Sequence, residues 1–592
     1  MKEHGCFSVA KSASALPPKK SGGSFLTVLH PFTGDQLIGS GFRNFLGKPS
    51  PEETFRFNGQ PIDRANQQAL RTALAKLSYA LEHLLLANPP GINSAIPSGY
   101  SYLMQLIAHD LVASASSLAR IDNGRMALNN NRSAKLRLES IYDCGPEGSP
   151  LLYEPSLTGD STTPRAPLTS LRLGPLNTQQ KFGCPLRDLA RVNLTKSVED
   201  LTADVNKPSA PRTALPGLPD VIVGDPRNDD HAIISQLTVV FHLLHNGLVE
   251  MTKGMPTHSR YAEAAFNRYY YARMAATLIF RNVIRLDVLK RFLHPEIYRL
   301  YNVDDPPFVD GFEDAVPLEL THGALRVCHS MLRNHYQLND RGEGFPLSEI
   351  LLENSVNRAA KMPLPENWAA AWSFFFDIAG QKPPANMSVQ LGPHYHSLLA
   401  TDQLFPPIDD VQVSGTKKGG LAYRDMLSAA LAGLWSVPSL IKRLSGDGSP
   451  RAKLFEAWPL ADQAGREKAL QDWMLEHQYS PYEMTVAERE TLAKDPPLPF
   501  FLMFEALEDG KGARFGLLGS IIVAETIFGV LSKDPLTPGH GFVPLDKALE
   551  ALGREVFDEP WLPAYPQLDS MGAVIAFVAD VNKLQDTQPK FI

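Results

Sequence analysis

The chain has 592 residues, 44% of them hydrophobic and 20% charged, a globular composition that excludes wholesale disorder. Lys and Arg total 57 against 64 Asp and Glu, a net charge of −7, so no basic field is available and nucleic acid is excluded as a partner. Four cysteines (Cys6, Cys144, Cys184, Cys328) form no CxxC pair and predict a reducing, cytoplasmic setting.

Residues 1–25 are rich in Ser, Gly, Lys and Pro and read as a flexible tail without the apolar core of a signal peptide. Residues 26–592 are expected to form one large domain. Apolar residues at helical spacing predict helices over 66–86 and 98–118, the second with Ser98 as N-cap. Residues 145–220 are dense in Pro, Ser, Thr and Gly, too long for an ordinary connection, and read as a functional wrap or an insertion. Helical periodicity returns over 232–252, 259–293, 319–334, 423–444, 500–508 and 517–533. Strand-like alternation is scarce. The expected fold is mainly α, a single helical domain with long irregular loops and few or no strands. The longest apolar stretch, 515–531, is interrupted by Glu525 and is short for a bilayer of ~30 Å. It reads as a buried helix, and no integral membrane segment is expected.

Certain polar residues stand out from this apolar background. Gln105 and His109, four apart, share one face of an otherwise apolar helix, with Asp110 about 100° away. Burying such a pair costs free energy unless it is hydrogen-bonded. In ELTHGALRVCHSMLRN, His329 follows Arg326 by three residues. A buried helical imidazole is a common axial ligand of haem iron, and a guanidinium suits a propionate. Packing competes, since His322 projects nearly the same way. Cys328 lies about 100° round the helix and reads as a small buried hydrophobe. Arg227, ahead of a long apolar helix, is open to a salt bridge with Asp229 or Asp230 or to a pocket where negative charge develops. His242 and His245 read as packing, and His394 and His396 stay open between a metal clip and a structural pair.

Taken in order, Gln105-x-x-x-His109-Asp110, Gly224-Asp225-x-Arg227 ahead of a helix ending His245-Asn246, Arg326-x-x-His329, and the late helix FGLLGSIIVAETIFGVL resemble the peroxidase–cyclooxygenase superfamily. These are the animal-type haem peroxidases, and the bacterial members are the most similar. The resemblance implies a mostly helical fold with haem between the two histidine-bearing helices. His109, with Gln105 beside it, would be the distal base, Arg227 the stabiliser of negative charge, and His329 the axial ligand of the iron. The implied activity is a haem peroxidase using H2O2 to oxidise an organic substrate through a ferryl intermediate. The alternatives are a haem-dependent oxygenase, dioxygenase or tailoring enzyme using O2 on a small molecule or lipid, and a non-catalytic haem-binding protein.

Departures from the family pattern refine these expectations. Ala108 stands where mammalian members have an ester-forming Asp, Asp230 where they have an ester-forming Glu, and His231 where one has a sulfonium-forming Met. This implies haem b held without covalent bonds, or by at most one ester through Asp230. In the loop matching the family's calcium site, 133–143, Arg137 replaces a carboxylate ligand, which disfavours calcium and suggests an Arg137–Asp110 pair in its place. Aligning RDMLSAALAGLW puts Asp425 where the family has the Asn that bonds the axial histidine, with Ser428 and Ala430 at two Arg positions. An Asp425–His329 pair would give the imidazole imidazolate character and lower the iron's potential, leaving Arg326 as the propionate partner. Arg326 also occupies the place of the dioxygenases' radical-forming Tyr, which disfavours tyrosyl-radical chemistry there.

Overall fold

A computed structural model describes residues 40–592 apart from 88–90, 114–129, 156–167, 177–185, 193–219, 258–263, 309–314, 343, 355–356, 358–361, 403, 414, 534–542, 558–566 and 588–589. The expected N-terminal tail therefore lies outside the described residues, as do parts of the 145–220 stretch.

The architecture is mainly helical. Helix α1 spans Gln67–Ala87 and α2 Gly99–Leu111, the latter buried on every side except at Gln105 and Ala108. A single turn, α3 (Glu139–Tyr142), precedes the long helices α4 (Ala232–Met251) and α5 (Ala264–Val283), which pack on each other at the centre of the core. Among the described residues α4 alone is long and apolar enough to cross a membrane, and 94% of its apolar window is buried inside the protein.

The helix expected over 423–444 is two helices, α6 (Leu421–Leu431) and α7 (Val437–Ser445). Gly433 takes a left-handed φ of 68°, and Ser436 caps the new start by accepting the N–H of Ser439 at 3.2 Å, with Pro438 in the first turn, where no N–H is needed. Helices α8 (Leu498–Glu508) and α9 (Leu517–Lys533) close the core. The apolar stretch around Glu525 is thus a buried helix, with Glu525 bonded to Tyr301 (2.5 Å) and Arg451 (2.9 Å).

Strands are short, but the Pro-rich stretch contributes several of them. Leu173–Pro175, Arg187–Val192 and Asp220–Ile222 form a three-stranded antiparallel sheet, and Tyr153–Pro155 pairs antiparallel with Leu168–Leu171. These runs of three to six residues are too brief for alternation to register in the sequence.

The segment carrying His329 is irregular throughout. It runs as a π-helical turn (Leu320–Ala324), one α turn (Leu325–Val327) and a 3₁₀ turn (Cys328–Met331). A Cβ on Gly323 would meet Leu498 Cδ2 at 2.6 Å, so α8 presses directly on the backbone here. Glu319 anchors the start, its buried carboxylate accepting the N–H groups of Phe45 (2.7 Å) and Trp435 (3.0 Å). Helix α2 crosses the other end, Ser101 Oγ lying 3.7 Å from Met331 Sδ.

Candidate active site

Three backbone elements meet around His109. Its ring is buried in the last turn of α2, and Nδ1 lies 2.8 Å from Asn228 Oδ1. Asn228 Nδ2 donates to the carbonyl of Ser140 at 3.1 Å, which fixes the amide with its oxygen toward the histidine. Nδ1 must therefore carry the proton, leaving Nε2 with a free lone pair and no partner among the described residues. Burial, and after it the guanidinium of Arg227, lowers the ring's pKa from 6.5 to about 3. The imidazole is neutral at any working pH.

Asp225 organises the cations beside it. As N-cap of the short turn Pro226–Asp229, it accepts the N–H of Arg227 at 2.9 Å, and its carboxylate also takes Arg227 Nε (3.0 Å) and Nη2 (2.7 Å). Arg132 Nη2 pairs with the same carboxylate. Burial would push Asp225 up, but Arg227 and Arg132 hold it far below the usual carboxylate range. Arg227 Nη2 also donates to the carbonyls of His109 (3.1 Å) and Val112 (2.7 Å), so one edge of the guanidinium is fully used, while Nη1 has no partner among the described residues. A Cβ on Gly224 would meet the carbonyl oxygens of Ser140 and Ile141 at 2.9 Å, so only glycine lets this turn approach α3 so closely.

Gln105 and His231 form a second pair. His231 caps α4 by accepting the N–H of Ile234 at Nδ1 (3.3 Å), so its Nε2–H donates to Gln105 Oε1 at 3.0 Å. Asp230 presents accessible surface although protein encloses it on nearly every side. Burial, reinforced by Asp225 and Asp229, raises its carboxyl to about 7.

The 133–143 loop is built differently from the expectation. Asp110 accepts the backbone N–H groups of Leu138 and Ser140, both at 2.9 Å, and Arg137 is not its partner. Ala134, Leu136 and Leu138 have φ of 58°, 50° and 57°. Alternating left-handed residues turn successive N–H groups to one side, forming a nest for an anion. The carbonyls of Lys135 and Leu136 are taken by Arg281, and that of Arg137 by Thr277 at 3.4 Å, both from α5. Burial and then Glu139 raise Asp110 to about 6.

On the other side, His329 Nδ1 lies 2.7 Å from Asp425 Oδ2. Tyr395 donates its hydroxyl to the same oxygen at 2.9 Å, and Arg326 Nη1 stands 3.5 Å from Oδ1. Burial pushes Asp425 up, but His329, Arg326 and Tyr395 together keep it below the usual range. An ionised carboxylate only accepts, so His329 Nδ1 is protonated and its Nε2, on a side chain 30% exposed, has no partner among the described residues. Arg326 also donates Nε to Thr321 O at 2.9 Å. It is thus turned to Asp425 and its own helix, and only Nη2 is left for any other anion.

Cys328 is no thiolate, since burial pushes its thiol up to about 12. The metal-clip alternative for His394 and His396 is set aside. His394 Nε2 bonds the carbonyl of Ser330 at 2.9 Å, and His396 caps a 3₁₀ turn. His245 bonds Tyr142 (3.0 Å) and Thr169 O (2.8 Å).

No family model matches the sequence, and no curated protein sequence matches it. Among solved structures, peroxidase A from Dictyostelium discoideum superposes with a TM-score of 0.52 at 12% identity, over 93% of this chain and 95% of that one. This chain has the animal-type haem peroxidase fold. Fatty acid alpha-dioxygenases from Arabidopsis thaliana and Oryza sativa, each 12% identical, give TM-scores of 0.49. The Arabidopsis match spans 95% of this chain and 87% of that one, the rice match 94% and 90%.

Whether the residues of this peroxidase fold suit haem is tested by their donor chemistry. An imidazole whose Nδ1–H is bound to a carboxylate and whose Nε2 is free is the tautomer that ligates iron, and His329 has that form. His109 adds a second imidazole whose Nδ1 is bonded and whose Nε2 has no partner among the described residues. The residues fit the cofactor.

Three participants escaped the sequence reading: Asn228, Arg132 and Tyr395. Asn228 adjoins Arg227 in the same motif, which was a usable signal. Arg132 and Tyr395 come from loops with no pattern of their own.

Proposed function

We propose that the chain is a haem-dependent oxidoreductase of the peroxidase type, reducing H2O2 and oxidising a small organic substrate. Two histidines, the enclosed His109 and the partly exposed His329, each with Nδ1 bonded and no partner for Nε2 among the described residues, carry this reading. His329 would hold the iron of haem b, and Asp425 would orient its ring. Asp230 stands where relatives of this fold carry an ester-forming Glu, so the haem would be bound without covalent links or with at most one. Asp110, with both oxygens spent on amides, is assigned no calcium.

Bound haem supplies a redox-active iron at which peroxide accepts two electrons. Nε2 of His109 takes the proton from the nearer peroxide oxygen and returns it to the departing one, which leaves as water. Neutral at working pH, it is always ready to accept. Arg227, locked by Asp225 and two carbonyls, sets a permanent positive charge next to the departing oxygen, where negative charge grows. Gln105, held by His231, keeps an amide N–H2 on the same face of α2 as His109 and positions the peroxide.

The test is haemin titration followed by stopped-flow mixing with H2O2. Wild type is expected to give a Soret band that shifts within the mixing experiment. His109→Ala should keep the ferric band but react roughly 10²–10⁴-fold more slowly. An unchanged rate contradicts the assignment, and substrate turnover with O2 alone moves the protein to the oxygenase class.

A further inference from the structure

Asp425 accepts from three sides. Its Oδ2 receives His329 Nδ1–H at 2.7 Å and the Tyr395 hydroxyl at 2.9 Å, and Oδ1 faces Arg326 at 3.5 Å. Tyr395 and Asp425 are fully enclosed, so no water competes for these oxygens. The Tyr395 ring lies 6.1 Å from that of His329, centroid to centroid, and its backbone N–H is fixed to Leu81 O at 2.8 Å. The backbone of Tyr395 is therefore held in place independently of the carboxylate that its phenol bonds.

A carboxylate bonded to one imidazole N–H draws that proton strongly and makes the ring a stronger electron donor at Nε2. A second donor on the same oxygen competes for its lone pairs and withdraws charge from it. We propose that Tyr395 is a positioning residue of the proximal side, which limits how far Asp425 converts His329 toward imidazolate and so sets the potential of the iron. This rests on the haem reading given above. It also reverses part of what an Asp at position 425 implies by itself: the carboxylate pulls on the imidazole with a charge already shared with a phenol and a guanidinium.

Tyr395→Phe removes one oxygen and leaves the ring and its packing. The haem-loaded variant should show a lower Fe(III)/Fe(II) midpoint potential than wild type, and its ferrous form a higher iron–histidine stretching frequency by resonance Raman. Asp425→Asn should move both readouts the opposite way. In the Asp425→Asn background, Tyr395→Phe should have little further effect, because its influence passes through the carboxylate. An effect of equal size in both backgrounds overturns the proposal and makes Tyr395 a packing residue, as does an unshifted potential in the single variant. Failure of wild type to take up haemin defeats the cofactor reading and this inference together. Normal uptake with an unmoved potential defeats the inference alone.

Discussion

The amide of Asn228 is oriented by the carbonyl of Ser140, and it in turn orients the ring of His109. Asn228→Leu leaves a buried N–H and a buried carbonyl unbonded, each costing about 1–3 kcal/mol, and lets the imidazole change tautomer. The peroxide reaction should slow by about tenfold or more under stopped flow, whereas Asn228→Asp, which keeps an acceptor for Nδ1–H, should lose less. Equal losses in the two variants would make the amide a packing group. At this scale much was legible, because a polar residue on an apolar helix announces its own cost. That logic singled out Gln105 and His109, whereas His329 was read from its spacing after Arg326 and from the family resemblance, and it lies partly exposed in a 3₁₀ turn. Their partners were harder to read: Arg132 lies 23 positions from His109 and Tyr395 30 from Asp425, and nothing local in either segment marks a buried donor.

At the level of elements, the approach of the Arg227 turn to α3 depends on one missing side chain. Gly224→Ala would drive a Cβ to 2.9 Å from two carbonyl oxygens, and relieving that overlap moves the turn. We expect a loss of about 1–3 kcal/mol in urea unfolding together with slower peroxide reaction, since Arg227 shifts with the turn. Unchanged stability would mean that α3 yields easily. Long helices were readable from periodicity, and the observed bounds of α1, α4 and α9 lie within a residue or two of those expected. The break between α6 and α7 was overlooked although Gly433, Ser436 and Pro438 spell it out as stop, cap and first turn. The nest around Asp110 was not readable at all, because Ala134, Leu136 and Leu138 adopt a backbone conformation that their side chains disfavour.

For the molecule as a whole, buried titratable groups set a stability optimum. His109, His231, His245 and His322 are lowered to about 3, and His242, His394 and His396 to about 4, in each case chiefly by burial. Burial likewise raises Asp110 to about 6, Asp230 to about 7, and Asp495 and Glu505 to about 8. Depressed imidazoles are protonated only in the unfolded chain between their folded values and 6.5, so their contribution is lost as pH falls through that window. Raised carboxyls are protonated only in the folded chain, and their contribution is lost as pH rises toward 7 or 8. Near pH 5 the seven imidazoles outweigh the four carboxyls, so stability rises with pH there. Above about 6.5 the imidazoles drop out and the slope reverses. Urea midpoints measured from pH 5 to 8 should peak between about 6 and 7, and a steady rise to pH 8 would refute this balance. The amide cradle beneath Asp110 couples two distant parts of the chain. Peptide groups of the 134–140 turn brace the helix that ends in His109, so a change of conformation in that turn is transmitted to the imidazole one residue away.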